Sequence, residues 1–252
     1  MEITSLNNDL VKDIVRLQQK KYRDESGKFI LEGLKAIEEA FNSDIEIEYI
    51  FVTKEKASHY SFLDEKVIYT TPLVLNKLST TDSVPDAVAV GYQKKFSEEI
   101  LKEAKRVALF ENIKDLGNLG TILRTATAFS LDAIILYGNT VDLYNPKCVR
   151  ASVGNLWKTP VFQTKELNFL SKYFINFKRI ATLPKSDEST YLRDFQTEGN
   201  TLVMFGAEAD GLSEELIKFS TDKITIEMDS SKVESLNLSM SAGIIFYKLF
   251  LL

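Results

Sequence analysis

Short apolar segments alternate with helix-like stretches over more than half of the chain, and this alternation limits the possible folds most strongly. Five of these segments are candidate β-strands, at residues 107–110, 133–137, 179–183, 202–205 and 224–226. Strands that alternate with helices form a parallel sheet with helices on both faces. We therefore predict an α/β domain over residues 107–252. Its functional residues should lie in the loops that follow the carboxyl ends of the strands.

The first third of the chain has its own pattern of elements. The predicted elements are a helix over residues 9–19, a strand over 29–31, a helix over 33–41 and a strand over 47–53. They predict a small α/β domain over residues 1–91. A turn-rich segment at residues 79–86 and a charged stretch at 94–106 then place a linker at residues 92–106.

The charge of the chain restricts how it can bind nucleic acid. Its 252 residues carry a formal net charge of −5 and the pI is about 5.2, which argues against binding by bulk positive charge. A local basic cluster is still enough to hold phosphates. The candidate RNA-binding residues are Arg16, Lys20, Lys21 and Arg23. A solvated helix face explains these residues equally well.

Cysteine and histidine usage excludes other classes of protein. The single cysteine, Cys148, excludes a disulfide framework, and the single histidine, His59, leaves too few ligands for a zinc site. We therefore expect no metal. We expect Cys148 in the core, His59 at the surface, and Trp157 in the core or a subunit interface.

The ends of the chain carry no predicted targeting or membrane segment. The N-terminus is polar and lacks the pattern of a targeting signal. The apolar residues 243–252 are too few to cross a bilayer. We therefore expect a cytoplasmic protein that does not enter a membrane.

The loop after the first predicted strand of the α/β domain leads into a helix predicted to open at Thr121. Gly117 and Gly120 in this loop form neither a dinucleotide fingerprint nor a P-loop. They do allow close approach of the backbone to a ligand. Arg124, one turn into the predicted helix, has a planar guanidinium suited to a phosphate or a developing oxyanion. The alternative is a surface arginine on an amphipathic helix.

Two further loops carry candidate site residues. Glu208 lies between two glycines after the fourth predicted strand, and an ordinary turn residue is the alternative. Ser213 behind it is a candidate N-cap for the next helix. Ser235 and Asn237 precede an apolar helix predicted over residues 238–252, which either residue could simply cap.

These loops contain three sequence motifs in a specific order. They are N-x-G-x-x-x-R-T at residues 118–125, G-A-E-x-x-G-L-S at 206–213 and E-S-L-N-L-S at 234–239. In combination they resemble the three motifs of the SpoU/TrmH family of RNA 2'-O-methyltransferases. The resemblance extends to R-A-S-V-G at 150–154 and, near the N-terminus, to I-T-S at 3–5, K-K-Y-R at 20–23 and F-I-L-E-G at 29–33. Glu227 departs from the family, which typically has proline there.

The resemblance implies a fold, a cofactor and partners. The fold is a parallel-sheet α/β domain with a deep trefoil knot, preceded by a small α/β RNA-binding domain, in a homodimer with active sites at the interface. The implied methyl donor is S-adenosylmethionine, bound mainly through backbone groups of the knot loops. By motif position its binding residues are Leu183, Gly206, Ile226 and Leu236. The implied substrate is RNA, and the N-terminal domain favours ribosomal RNA over transfer RNA.

The resemblance also assigns the catalytic residues, which are Asn118, Arg124, Glu208, Ser235 and Asn237. Family precedent gives Arg124 the activating role at the ribose hydroxyl, although a guanidinium is a poor base. The physical alternative is that Arg124 holds the phosphate beside the ribose and stabilises the emerging alkoxide. Asn118 would position the ribose or Arg124, and Glu208 would orient Arg124 or hold loop amides. Ser235 and Asn237 would hold the third loop.

Two other classes of function are weaker. A catalytically silent RNA-binding or ribosome-assembly factor could retain the same fold, but the intact candidate residues in all three motifs argue against it. A nucleotide-dependent hydrolase or transferase could use the glycine loop. It ranks last because the chain lacks a P-loop lysine and paired carboxylates for Mg²⁺.

Overall fold

The computed structural model describes residues 1–186, 188–208, 210–229 and 231–250. The chain divides into two compact units. The first consists of Met1–Lys95 with Asp142–Trp157, and the second of Phe96–Val141 with Lys158–Leu252. The end of the last predicted helix, residues 251–252, lies outside the described residues.

The first unit contains a five-stranded mixed sheet. Its strands are β1 (Glu2–Ile3), β2 (Lys28–Glu32), β3 (Ile47–Val52), β4 (Val67–Thr70) and β5 (Ala87–Tyr92). Their order in the sheet is β1-β4-β3-β5-β2, and β5 is antiparallel to both of its neighbours. The helices of this unit are α1 (Asp9–Arg16), α2 (Lys20–Ser26), α3 (Leu34–Phe41) and α4 (Pro72–Leu78), with a 3-10 segment at Ala57–Lys66.

Two helices replace the single helix predicted near the N-terminus. Helix α1 begins after Asn8, whose side chain accepts a hydrogen bond from the N–H of Leu10. After Arg16 the hydrogen bonding changes to the 3-10 pattern, in which the N–H groups of Leu17 and Gln18 donate to carbonyls three residues earlier. This change ends the helix. The basic stretch then forms the separate helix α2, which ends at Gly27 with a φ of 67°.

The segment Asp142–Trp157 returns to complete the first unit. It contains helix α7 (Pro146–Ala151). Trp157 is buried, and its indole N–H donates to the carbonyl of Glu39 at 3.1 Å. The ring of Tyr144 lies 4.8 Å from that of Phe29. The sequence predicts that this segment belongs to the α/β domain of residues 107–252, whereas its contacts place it with the N-terminal elements.

The second unit contains a seven-stranded sheet in which every pair of neighbours is parallel. Its strands are β6 (Arg106–Glu111), β7 (Ala133–Tyr137), β8 (Val161–Thr164), β9 (Lys178–Thr182), β10 (Thr190–Tyr191), β11 (Thr201–Phe205) and β12 (Asp222–Thr225). Their order is β10-β12-β9-β11-β6-β7-β8. The helices are α5 (Ile100–Glu103), α6 (Leu116–Ala128), α8 (Leu167–Phe174), α9 (Glu214–Phe219) and α10 (Leu238–Phe250). The predicted parallel α/β sheet is confirmed.

The centre of this sheet is apolar on both faces, as expected for strands covered by helices on each side. All five residues of β11 and all five of β7 are buried. Phe110 and Phe205, on neighbouring strands, stack with their ring centroids 4.8 Å apart. Helices α6 and α10 pack on each other. This core fixes the strand ends from which the site loops emerge. Within the described residues, no helix is both long enough and apolar enough to cross a membrane.

Candidate active site

Asn118 lies inside helix α6 rather than in the loop before it. The helix begins at Leu116, about one turn earlier than the sequence predicted. The reason is Asp115, whose carboxylate accepts the N–H of Asn118 at 2.7 Å and so caps the helix. Asn118 is consequently buried in the first turn, with an exposed fraction of 8%. Its side chain has a fixed direction.

The Asn118 side chain joins all three sequence motifs. Its Nδ2 donates to Oε1 of Glu208, and its Oδ1 accepts from Nδ2 of Asn237 at 3.0 Å. Oδ1 of Asn237 in turn accepts the N–H and the hydroxyl of Ser239 at 2.9 and 2.7 Å. These donors fix which end of the Asn237 amide faces Asn118. Asn237 therefore caps α10, which was the alternative role predicted for it, and it also bonds to the first motif.

The loop that carries Glu208 is closed on itself. The N–H groups of Ala207 and Gly211 each donate to the other residue's carbonyl, at 3.1 and 2.9 Å. A Cβ atom on Gly206 would lie only 2.0 Å from the carbonyl carbon of Gly211. A side chain at position 206 would therefore force this loop open.

Arg124 is exposed on α6 and makes no hydrogen bond or ion pair with the described residues. Each of the other arginines has such a partner: Arg16, Arg23, Arg106, Arg150, Arg179 and Arg193. Neither Asn118 nor Glu208 bonds to Arg124, because these two side chains bond to each other. The guanidinium is thus available for an anion from outside the chain.

Ser235 is exposed and does not join the hydrogen-bonded chain through Asn118.

The four predicted cofactor residues lie in the loops at the carboxyl ends of adjacent strands or, for Leu236, just before α10. The N–H of Leu183 donates to the carbonyl of Ile224 at 2.9 Å. The backbone groups of Ile226 and Leu236 make no hydrogen bond with the described part of the chain. Free amides and carbonyls at this edge fit a cofactor that is held through the backbone.

Glu227, which departs from the family pattern, is bonded to the neighbouring loop. Its carboxylate accepts the N–H of Arg193 at 3.2 Å and lies 3.4 Å from Nε of the same residue. Arg193 lies two residues after β10, the strand paired with β12. The proline that the resemblance implies at this position could not make this contact. Glu227 therefore places an ion pair beside Ile226.

The volume near these residues is small. A cleft of about 90 Å³ is lined by Asn112, Ile113, Lys114, Ala207, Glu208, Asp210 and Leu238. A larger open groove of about 760 Å³ lies in the first unit, between α3 and the 3-10 segment. The smaller cleft contains Glu208, whereas the groove contains none of the predicted site residues.

The candidate RNA-binding residues lie in the first unit and differ in accessibility. Arg16 and Lys21 are exposed, and each lies within 6 Å of the centre of the Tyr22 ring. Lys20 is also exposed and pairs with Asp24 at 2.5 Å. Arg23, in contrast, is 1% exposed.

Arg23 serves the fold of the first unit. Its Nε donates to Asp142 at 2.9 Å, and its Nη1 donates to the carbonyl of Leu17 at 2.6 Å. A phosphate contact would require breaking both bonds and exposing a buried ion pair. Sequence spacing alone placed Arg23 among the basic residues, because the burial of one face of α2 could not be read from a seven-residue stretch.

Cys148 is not available as a nucleophile. Cys148 is buried, and this burial raises the pKa of its thiol to about 12, so the reactive thiolate is scarce. Its predicted core location is confirmed, as is that of Trp157. The part of the chain that the structure describes contains no group of three or more carboxylate, histidine or cysteine side chains arranged for a metal ion.

Sequence reasoning missed two residues that shape the site, Asp115 and Ser239. Asp115 caps α6, and its position three residues before Asn118 is the usual spacing of a capping carboxylate. Ser239 is the last residue of the third motif and bonds to Asn237. Ser239 could have been found from the capping pattern at the predicted start of the last helix, whereas Asp115 lies six residues before the predicted start at Thr121.

Comparison with known proteins decides the family. Residues 105–247 match the model of the SpoU rRNA Methylase family, and residues 8–89 match the MRM3-like substrate binding domain. The chain belongs to the SpoU rRNA methylase family. It is therefore a methyltransferase, and S-adenosylmethionine is the methyl donor of this family.

Individual relatives extend the similarity over 98% of the chain. An uncharacterized tRNA/rRNA methyltransferase from Synechocystis is 31% identical over 98% of this chain and 92% of its own length. The 23S rRNA (guanosine(2553)-2'-O)-methyltransferase RlmP of Bacillus subtilis is 28% identical, with 98% of each chain covered. A crystal structure of an AdoMet-bound rRNA methyltransferase from Sinorhizobium meliloti superposes with a TM-score of 0.87 at 27% identity, covering 98% of this chain and 96% of that one.

Proposed function

We propose that this SpoU methyltransferase transfers the methyl group of S-adenosylmethionine to a ribose 2'-hydroxyl in ribosomal RNA. The observation that carries the proposal is the hydrogen-bonded set Glu208–Asn118–Asn237, which joins the three motifs on the helix that also presents Arg124 to solvent. The 23S rRNA activity of the Bacillus subtilis relative supports the choice of substrate over transfer RNA. We expect the present protein to be located in the cytoplasm.

We place the cofactor at the carboxyl edge of the second unit. Leu183, Gly206, Ile226 and Leu236 would hold it, mainly through backbone groups. Support comes from the backbone groups of Ile226 and Leu236, which are free of hydrogen bonds to the described residues, and from the apolar surface that Leu236 exposes. When bound, S-adenosylmethionine supplies an electrophilic methyl group on a sulfonium.

We assign Arg124 to the RNA phosphate beside the target ribose. There it would align the hydroxyl for in-line displacement and stabilise the alkoxide as the proton passes to that phosphate or to solvent. The lack of a carboxylate partner among the described residues supports this role, because an arginine already paired would bind phosphate less well. A guanidinium has donors and no acceptor, so it is poorly suited to removing the proton itself.

The remaining motif residues would shape the site. Asn118 is held at both ends of its amide, so we assign it to positioning the ribose. Glu208 would keep the 206–213 loop against α6, and Asn237 would fix the start of α10. Ser235, whose hydroxyl is exposed, would contact cofactor or substrate directly.

The first unit would bind RNA outside the active site. Arg16, Lys20 and Lys21 are exposed, and Arg16 and Lys21 lie beside the Tyr22 ring, so these charges can reach phosphates while the ring contacts a base. Arg23 is left out of this proposal because it is buried in an ion pair. The match to a substrate binding domain over residues 8–89 supports this division of labour.

We further propose a homodimer formed through α10. Met240, Ile244 and Tyr247 lie at helical spacing on this helix and are 60%, 40% and 60% exposed. An apolar stripe of this kind at the surface is typical of a subunit interface. Because α10 packs on α6, a partner at this stripe would lie near the helix that carries Arg124.

The central test is methyl transfer to ribosomal RNA by the purified full-length protein with radiolabelled S-adenosylmethionine. The wild-type protein should label a ribose 2'-oxygen. Arg124→Ala should lose at least about a hundredfold in rate, the typical effect of removing one oxyanion-stabilising group, while calorimetry still detects cofactor binding. An Arg124→Ala protein with the wild-type rate would show that the catalytic assignment is wrong. Labelling of transfer RNA alone would overturn the choice of substrate.

A further inference from the structure

Two neighbouring side chains outside the three family motifs lie at the carboxyl edge of the second sheet. Glu111 is the last residue of β6 and Tyr137 the last residue of β7, and they are paired in register. They are 5% and 6% exposed. A carboxylate this well buried needs donors to compensate for the water it has lost.

Both side chains bond to the first turn of α9. Oε2 of Glu111 accepts the backbone N–H of Ser213 at 2.7 Å, and the hydroxyl of Tyr137 donates to Oε2 of Glu215 at 2.8 Å. Ser213 is the N-cap of α9, where its hydroxyl accepts from Leu216. The start of α9 is thus held to two adjacent strand ends by charge-assisted hydrogen bonds.

The same bonds determine where the Glu208 loop ends. The loop leaves β11 at Gly206, next to β6, because Phe205 is paired with Phe110. It ends at Ser213, which Glu111 holds against the last residue of β6. Both ends of the loop are therefore tied to one strand, and Glu208 between them reaches Asn118 on the helix that follows this strand.

We propose that Glu111 and Tyr137 are positioning residues for methyl transfer. By holding the start of α9 they keep the 206–213 loop in the shape that binds S-adenosylmethionine at Gly206 and directs Glu208 to Asn118. The inference rests on the proposed placement of the cofactor. Burial and the bond to Glu215 raise the pKa of Tyr137 to about 12, so its hydroxyl stays a donor at any pH used for an assay.

The test compares matched tyrosine variants. Tyr137→Phe removes one hydroxyl and keeps the ring, so the fold is preserved. Its dissociation constant for S-adenosylmethionine should rise about fivefold, the effect expected from losing one hydrogen bond. Tyr173→Phe is the control, because Tyr173, on α8 of the same unit, also donates its hydroxyl to a glutamate, Glu98, at 2.6 Å in an exposed contact. That variant should bind the cofactor as the wild type does.

Variants of Glu111 separate positioning from stability. Glu111→Gln keeps an oxygen that can accept the N–H of Ser213, so cofactor affinity should stay within about twofold of wild type, a factor well below the loss of a hydrogen bond. Glu111→Ala removes the acceptor and should weaken binding more than Tyr137→Phe does. Thermal melting of each variant shows whether the affinity changes without unfolding. If Glu111→Ala does not fold, the comparison of Tyr137→Phe with Tyr173→Phe still tests the positioning role.

The outcomes distinguish this inference from the proposed function. Wild-type binding with an unchanged dissociation constant in Tyr137→Phe would overturn the positioning role alone. An equal loss in Tyr173→Phe would overturn it too, since the effect would then be general. A wild-type protein that binds no S-adenosylmethionine would overturn the proposed function and this inference with it.

Discussion

At the scale of single residues, the site depends on which atom of each amide faces its neighbour. Asn118 donates to a carboxylate on one side and accepts from an amide on the other, and no apolar or charged side chain can fill both roles at once. Burial makes this arrangement demanding, because a donor or acceptor left without a partner costs about 1–3 kcal/mol.

The substitution Asn118→Asp tests this requirement. It replaces the donor to Glu208 with a second carboxylate, so the two negative charges repel and the loop moves away from α6. We expect the methylation rate to fall at least about a hundredfold at pH 8, on the scale of losing one oriented catalytic group. Partial recovery should appear near pH 5, because one proton shared between the carboxylates restores a donor.

A matched control is Asn145→Asp in the first unit. Asn145 caps α7 with its side-chain oxygen, a role that aspartate fills equally well. Its rate and pH profile should equal those of the wild type. An Asn118→Asp enzyme with a flat pH profile and the wild-type rate would contradict the assignment.

Cys148 provides a residue-scale probe of the Asp142–Trp157 segment. With a thiol pKa of about 12, roughly one thiol in ten thousand is ionised at pH 8, so the folded protein should react with thiol reagents very slowly. Removing the ion pair by Arg23→Ala leaves Asp142 without its main partner. The segment should then open more often, and we expect labelling to speed up at least about tenfold, since breaking a buried pair costs about 3–5 kcal/mol. Lys54→Ala, which breaks an exposed pair with Glu2, should leave the labelling rate unchanged.

At the scale of elements, the sequence predicted the apolar strands and missed the polar ones. Strand β7 has the bounds predicted for it, because a continuous apolar run between polar neighbours leaves little choice. Strands β8 and β10 contain polar residues or span only two positions, so their pairing depends on neighbours distant in the chain. The start of α6 was missed because it depends on a capping carboxylate rather than on apolar spacing.

The site was likewise predicted only in part from the sequence. The order of the three motifs predicted that Asn118, Glu208 and Asn237 belong together, and the structure brings them together. No pattern in the sequence could show that Arg124 would be left out of this set. The roles of Glu111 and Tyr137 were not predicted either, because their contacts with the start of α9 join residues 102 and 78 positions apart in the chain.

Helix α10 allows a test of the proposed dimer at the same scale. Ile244→Glu places a charge in the middle of the apolar stripe, where a partner would have to desolvate it. We expect the molar mass measured by light scattering to fall from that of a dimer to that of a monomer. Ile100→Glu is the control, because this isoleucine has a similar exposure, 37%, and lies on another helix. A wild-type protein that is monomeric at micromolar concentration would contradict the dimer.

At the scale of the whole molecule, RNA affinity and cofactor affinity should be separable. Lys20→Ala with Lys21→Ala removes two exposed charges from the first unit. RNA binding should weaken, and the slope of log affinity against log salt should fall by about 0.7–0.9 for each phosphate that the variant no longer neutralises. Cofactor affinity should not change. Lys54→Ala is the control, and an unaltered salt slope in the double variant would exclude these lysines from the RNA surface.

Deleting residues 1–90 would not separate RNA affinity from cofactor affinity, because it would also damage the packing of Asp142–Trp157. The deletion would remove the sheet on which Asp142–Trp157 packs, expose buried Trp157 and leave Asp142 without Arg23. The shortened protein should aggregate or melt at a lower temperature than the full chain. Lys20→Ala and Lys21→Ala leave Arg23 and its bond to Asp142 unchanged, so they keep this segment in place.

The return of Asp142–Trp157 to the first unit also governs the order in which the protein can be made. A chain emerging from the ribosome completes the five-stranded sheet by Tyr92, yet lacks the segment that buries Arg23 until Trp157 has emerged. By then β6 and β7 have been synthesised, while β11, the other neighbour of β6, is still to come. Neither unit can therefore finish folding before synthesis is well advanced, and both sheets wait with apolar surface uncovered. Synthesis of this protein should accordingly be more sensitive to chaperone supply than that of a chain whose domains follow one another.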